Sequence, residues 1–237
     1  MLIESVKQLF RNGNVDISVL IAQILSVLFV IFLVLPFHEL AHGWVANKLG
    51  DPTAKWEGRL TFNPLASIDP MGALWLLLFG FGWAKPVPVD TRYLKKPKRD
   101  MAIIALAGPL ANLIAALLGA VLLYTMVIIP FGTGIVNVIE FIIRILSFYV
   151  MINVSLAVFN LLPIPPLDGS RILDAFLTER AAEEYHRYQR MITMIFFVAI
   201  ISGALSGPLS MVQGFFTDII LAIAQAPFKL FGFFGGF

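Results

Sequence analysis

Cysteine does not occur among the 237 residues of this chain. Its absence excludes disulfides, thiolate metal ligands and a cysteine nucleophile, and leaves the redox compartment unreadable. Charge is scarce too: 14% of residues are Asp, Glu, Lys or Arg, against about 25% in a soluble domain. The net charge of +2 is too small to suggest a nucleic-acid partner. Histidine occurs only three times, too few for a histidine-rich di-iron centre. No small-residue cleavage site follows the first apolar run, so the N-terminus is not read as a signal peptide.

What is abundant is apolar surface. Hydrophobic residues make up 59% of the chain and the mean hydropathy is +0.86. A water-soluble core of this size cannot bury that much, so the composition predicts an integral membrane protein. A span needs about 20 mostly apolar residues. The first candidate runs from about Ile17 to Phe37, and a shorter one, Ile68 to Ala84, is interrupted by Pro70, Gly72, Gly80 and Gly82. Others run from Met101 to Ile129, Ile135 to Leu162, Met191 to Ser206 and Leu209 to Ala226. The expected fold is all-α and polytopic, with about five to six transmembrane helices. One compact unit over 1–237, with its core at 17–226, is expected.

Lysine and arginine in short loops report orientation. The segment 85–100 carries Lys85, Arg92, Lys95, Lys96, Lys98 and Arg99; 43–67 carries Lys48, Lys55 and Arg59; 168–190 carries Arg171, Arg180, Arg187 and Arg190. The turn from Pro130 to Gly134 carries none. The three basic segments are therefore predicted to be cytoplasmic. Both flanks of 68–84 then lie on one side, and that stretch should dip in and return as a re-entrant element. Irregular backbone survives at that depth only inside protein or beside a wet cavity.

The first apolar run ends on His38-Glu39-Leu40-Ala41-His42. Histidines four apart share one face of a helix, one turn from each other. They can give one zinc ion two imidazole nitrogens, while Glu39 points elsewhere and can activate a zinc-bound water. Read blandly, the three are a polar helix end at the membrane surface, although ionisable groups in a span are costly. Pro36 should loosen the helix just before the pair.

Catalytic zinc takes three protein ligands and keeps one position open. His186 sits in RAAEEYHRYQR, where a solvated face is the simpler reading. Asp168, in Asn160-Leu-Leu-Pro-Ile-Pro-Pro-Leu-Asp168-Gly169, is the better candidate. The proline run cannot be helix interior, so an extended chain is expected there, and Gly169 allows a tight turn after the carboxylate. An ordinary helix-capping aspartate is the alternative. By the loop charges, both motifs end on the same, cytoplasmic, side.

HELAH at the end of an early span, with NLLPIPPLDG ending a later one, resembles the site-2 protease family of intramembrane zinc metalloproteases. GPLAN, Gly108 to Asn112, is similar to another recurrent element of that family. The resemblance covers about residues 17–226, and the lack of a PDZ-like or CBS-like insertion resembles the minimal-core prokaryotic members. It implies one Zn2+ per chain held by His38, His42 and Asp168, with Glu39 as general base. It implies that Asn160, and less directly Asn112, support the substrate backbone or the oxyanion. Asparagines bonding between helices are the plainer alternative. It also implies a re-entrant or β-hairpin element after the first span, which could hold an extended substrate by backbone pairing.

The expected activity is hydrolysis of peptide bonds in or near transmembrane segments, with zinc-bound water activated by Glu39. Expected partners are single-span or signal-peptide-like substrates and the lipid bilayer; a homo-oligomer stays open. The expected location is a prokaryotic cytoplasmic membrane, multi-pass, with the active site toward the cytoplasm. A hydrolase acting on lipid or prenylated peptide is the first rival, and a metal transporter the second. A transporter should string polar ligands along several spans, whereas here they gather at one end.

Overall fold

The computed structural model describes residues 24–25, 28–79, 84–129 and 133–230. Most of them are helical, and no strand forms among the described residues. They fall into two compact units, residues 1–100 and 101–237. Most of the expected first span, up to residue 23, lies outside the described residues, as does the 80–83 part of the 68–84 stretch.

The first unit begins with a π-helical turn, Val30–Val34, that runs directly into helix α1, Leu35–Leu49. The Leu35 N–H donates to the Val30 carbonyl, five residues back. Pro36 follows at once and has no N–H to give, so the wider turn falls where a regular ladder is interrupted. The expected loosening before the histidines therefore takes the form of a π turn. Gly50 stops α1 with φ 112°, the left-handed conformation that glycine adopts without a Cβ penalty. Asp51 behind it is fully buried; its Oδ1 accepts from the Thr53 N–H at 2.9 Å and starts the short helix α2, Thr53–Trp56.

Among its described residues, the region expected to hold a re-entrant or β-hairpin element forms turns and a short helix. A 3-10 turn, Pro64–Ala66, is capped by Asn63, whose side chain accepts from the Leu65 N–H. Helix α3, Pro70–Phe79, follows, with Asp69 accepting from the Gly72 N–H at 2.8 Å. Aspartate before proline is a strong helix start, because one caps and the other needs no partner. Ten residues span about 15 Å, half of a hydrocarbon core of about 30 Å. A second 3-10 turn, Thr91–Tyr93, closes the unit, packing Tyr93 edge-on against Trp56.

Helix α4, Pro97–Ile128, belongs to the second unit from Met101 on, and α5, Val136–Asn160, α6, Asp168–Phe176, α7, Glu179–Ile201, and α8, Ser206–Leu230, follow. Among the described residues, α4, α5 and α8 are long and apolar enough to cross a membrane. Their core is Ala116 and Ala120 of α4, Val150, Val154 and Val158 of α5, and Ile220 and Ala224 of α8. Leu106, Leu110, Ile114, Leu118 and Leu122 recur every fourth residue of α4, and all are exposed. Small residues inside and large apolar ones outside reverse the soluble pattern. That arrangement suits helices solvated by lipid, which approach closely through small side chains.

The stretch expected as a span from Met191 to Ser206 is not one helix. α7 starts in the charged segment at Glu179 and ends at Ile201; residues 202–205 form a turn with Gly203 at φ 77°. The turn divides the apolar run, and α8 begins at Ser206.

Candidate metal centre and active site

On α1 the four-residue spacing of His38 and His42 brings two buried imidazoles together. Their Nε2 atoms are 3.0 Å apart and the rings meet edge to face, with centroids 4.6 Å apart. Relative exposure is 5% for His38 and 8% for His42, so neither ring is solvated as a surface histidine would be. Either one Nε2 donates to the other, or both lone pairs address a common cation. Tetrahedral bonds of 2.0–2.1 Å would place the two nitrogens about 3.3–3.4 Å apart. The observed separation falls a few tenths of an ångström short of that, a difference small ring rotations supply. The pair fits zinc.

Glu39, one residue on, turns to another face of α1. Its Oε2 accepts from the Val87 N–H at 3.0 Å. The general-base candidate is thus held by backbone 48 residues away in sequence, on the extended stretch that leads into Asp90.

In the second unit the segment carrying Asp168 is a chain of turns, not the expected extended chain. Ile164 N–H donates to Leu162 O, Leu167 N–H to Ile164 O and Ser170 N–H to Leu167 O. The Pro165–Pro166 peptide is cis. Helix α7 holds this segment from the side: the Thr193 hydroxyl donates to Pro165 O at 2.7 Å and the Tyr185 hydroxyl to Pro163 O at 3.2 Å. Burial pushes the Tyr185 phenol above its ordinary pKa, so it remains a donor throughout the physiological range.

Asp168 is the first residue of α6, half-buried, and the cap position itself belongs to Leu167, which has no capping side chain. Gly169 has a different role from the one expected. It lies inside the helix rather than in a turn, and a Cβ there would stand 2.2 Å from Leu161 O and 2.3 Å from Leu162 O. Only glycine lets the end of α5 pass this close to the start of α6.

The remaining candidates are also placed. Asn160 is the last residue of α5, half-buried, and Asn112 is fully buried within α4. His186 lies on the exposed part of α7, with its Nε2 3.1 Å from Asp174 Oδ1. His186 is exposed there, as the charged segment suggests.

The chain matches the description "Peptidase family M50" over residues 26–141 and 125–203. The chain belongs to peptidase family M50. This is the site-2 protease family, a family of zinc metalloproteases, and its helices make the M50 chain a membrane protein. It is 44% identical over 153 residues to "Putative zinc metalloprotease YwhC" of Bacillus subtilis, covering 61% of this chain and 67% of that protein. It is 31% identical over 173 residues to "Putative zinc metalloprotease Rip2" of Mycolicibacterium smegmatis, covering 68% and 62%. It is 37% identical over 139 residues to "Putative zinc metalloprotease MJ0611" of Methanocaldococcus jannaschii, covering 58% and 63%. The chain thus spans about two thirds of the length of these relatives. No solved structure matches it.

The M50 chain also uses residues that its motifs do not announce. Asn153 on α5 is 1% exposed and donates to Tyr149 O at 2.9 Å. Arg59 is 6% exposed, with Nη2 donating to Lys85 O at 2.6 Å. A lone arginine in a turn-rich segment reads as a solvated charge, so only burial reveals it. Val87 is apolar and offers its backbone, and no side-chain pattern could have found it.

Proposed function

We propose that this protein is an intramembrane protease hydrolysing peptide bonds in or near transmembrane segments of membrane-protein substrates. The observation that supports this most is the buried His38–His42 pair, two Nε2 atoms 3.0 Å apart on one helix face. His38, His42 and Asp168 each offer one ligand atom, two nitrogens and an oxygen, the donor set of a hydrolytic zinc site. They would hold one Zn2+ and leave a fourth position for water. Zinc, when bound, supplies Lewis acidity, acidifying water and polarising a carbonyl.

Glu39 takes a proton from the attacking water and returns it to the leaving amine. Asn160, at the end of α5, and Asn112, buried in α4, donate to the substrate backbone or to the oxygen on which charge develops. A helical substrate hides its carbonyls in its own ladder, so the scissile segment must unwind first.

The finer architecture belongs to the same reading. Helix α3 is too short to cross, and it ends on glycine-rich sequence, which supports a re-entrant dip over 68–84. About five to six spans, with the site toward the cytoplasm of a prokaryotic cell, follow from the hydropathy and loop charges. Single-span or signal-peptide-like proteins are the partners we propose, in the bilayer and with no nucleic acid; a homo-oligomer remains compatible.

The test combines cleavage with metal content, on the full chain in lipid with a single-span substrate. Glu39→Gln should lower kcat by about 10²–10⁴-fold while keeping one zinc per chain. Asp168→Ala should lose both. Full cleavage by Glu39→Gln, or full zinc occupancy in Asp168→Ala, would refute the assignment.

A further inference from the structure

The segment Lys85-Pro86-Val87-Pro88-Val89-Asp90 alternates proline with residues that keep their N–H. Residues before proline are driven to extended conformations, and in an extended chain alternate N–H groups point the same way. Those of Lys85 and Val87 therefore share one edge, while Pro86 and Pro88 give nothing to the other.

Both of these N–H groups are engaged inside the first unit. Lys85 N–H donates to Ser67 O at 2.9 Å. Val87 N–H donates to Glu39 Oε2 at 3.0 Å. At the far end Asp90 N–H donates to Oδ2 of the fully buried Asp51 at 2.8 Å. The buried Arg59 adds a grip on Lys85 O. The segment is pinned at both ends, with the amide between them aimed at the carboxylate.

Helix α1 is shaped to receive it. Gly43 lies one turn after Glu39 on the same face. A Cβ at Gly43 would be 2.8 Å from Leu60 Cδ2 and 3.2 Å from Val87 Cγ1. The missing side chain is what lets Val87 come close enough for its N–H to reach Glu39.

We propose that the Lys85–Asp90 segment is a clamp for the general base, with the Val87 backbone N–H as its positioning group. This rests on the reading of Glu39 as the base. A free glutamate loses side-chain entropy when it is ordered. Here a charge-assisted bond from rigid backbone fixes Oε2 beforehand and leaves Oε1 to meet the water proton. Val87 touches neither substrate nor metal; it acts through Glu39.

The test replaces the Val87 amide by an ester, using the α-hydroxy analogue of valine, in the full zinc-loaded chain in lipid. The N–H is removed and the side chain kept. The clamp predicts kcat lower by about 10- to 100-fold, with KM and zinc content unchanged. An ester variant with native kcat would overturn it, as would one whose loss lies in KM or zinc content. An independent readout needs no activity: exchange of the Val87 amide proton by NMR. It should be slow in the native chain and in Glu39→Gln, whose side-chain oxygen still accepts, and at least about tenfold faster in Glu39→Ala. Equal exchange in native and Glu39→Ala chains would show that the bond is absent. Full cleavage by Glu39→Gln would remove the base assignment, and the clamp's catalytic role with it, although slow exchange at Val87 would persist.

Discussion

At Gly169 a single missing carbon sets the relation between two helices. Adding it as Gly169→Ala would drive a methyl into Leu161 O and Leu162 O, which are backbone and cannot rotate away. We expect a loss of about 1–3 kcal/mol in unfolding free energy, together with loss of cleavage because Asp168 is the adjacent residue. Gly214 is the contrast. It lies in α8 with nothing within 4 Å of its virtual Cβ, so Gly214→Ala should leave cleavage unchanged and stabilise by about 0.5–1 kcal/mol. Denaturation midpoints of the two variants in one detergent check both. At the surface, Asp90 is held below the usual carboxylate range, first by the side-chain hydrogen bond from Arg92. A depressed folded pKa gives stability that is present above the unfolded value of about 3.9 and lost as pH falls through the folded one. Arg92→Gln should raise the Asp90 midpoint in an NMR titration toward that value. The effect on stability should be slight, because both groups face solvent. Asp168 could be named from sequence as a carboxylate following a proline run. The need for glycine after it could not, because the carbonyls it avoids belong to the preceding helix end.

Among the elements, α4 and α5 fall close to where hydropathy places them, since twenty or more apolar residues can form little else in lipid. Their packing depends on small residues. A Cβ at Gly119 would stand 2.6 Å from the Tyr149 ring. Gly119→Val should therefore destabilise by about 1–3 kcal/mol, whereas Leu118→Val, on the exposed face, should change stability by less than about 0.5 kcal/mol. Chemical unfolding followed by tryptophan fluorescence or circular dichroism separates the two. The division between α7 and α8 was partly legible: Ser202-Gly203 is a turn signal inside an apolar run. Reading 191–206 by hydropathy alone passes over it, because glycine and serine scarcely lower the average. The segment before Asp168 looked extended for a sound local reason, namely proline. The hydroxyls of Tyr185 and Thr193, bonding its carbonyls, accompany a more compact path that no local rule requires.

For the molecule as a whole, a metal that binds the native state and not the unfolded chain adds RT ln(1 + [L]/Kd) to stability. Chelation should therefore lower the thermal midpoint and abolish cleavage, and zinc should restore both. Asp168→Ala should show a lowered midpoint from the start and little further response to chelator. Differential scanning fluorimetry with and without chelator reads this directly. A midpoint in the native chain indifferent to chelator would argue against a structural contribution from zinc.

Sequence by itself determined the membrane class, the long helices and the histidine pair. Each rests on short-range physics: hydropathy summed over a window, and a 3.6-residue period that puts positions 38 and 42 on one face. It also offered Glu39 as the candidate base, because that period turns it away from the pair. Only the tertiary structure decided what Glu39 turns toward. The Val87 N–H that meets it, the glycine that admits Val87 and the buried Arg59 that holds Lys85 are far apart in the chain. They become neighbours through packing, and packing depends on shape complementarity between distant segments that no local pattern encodes.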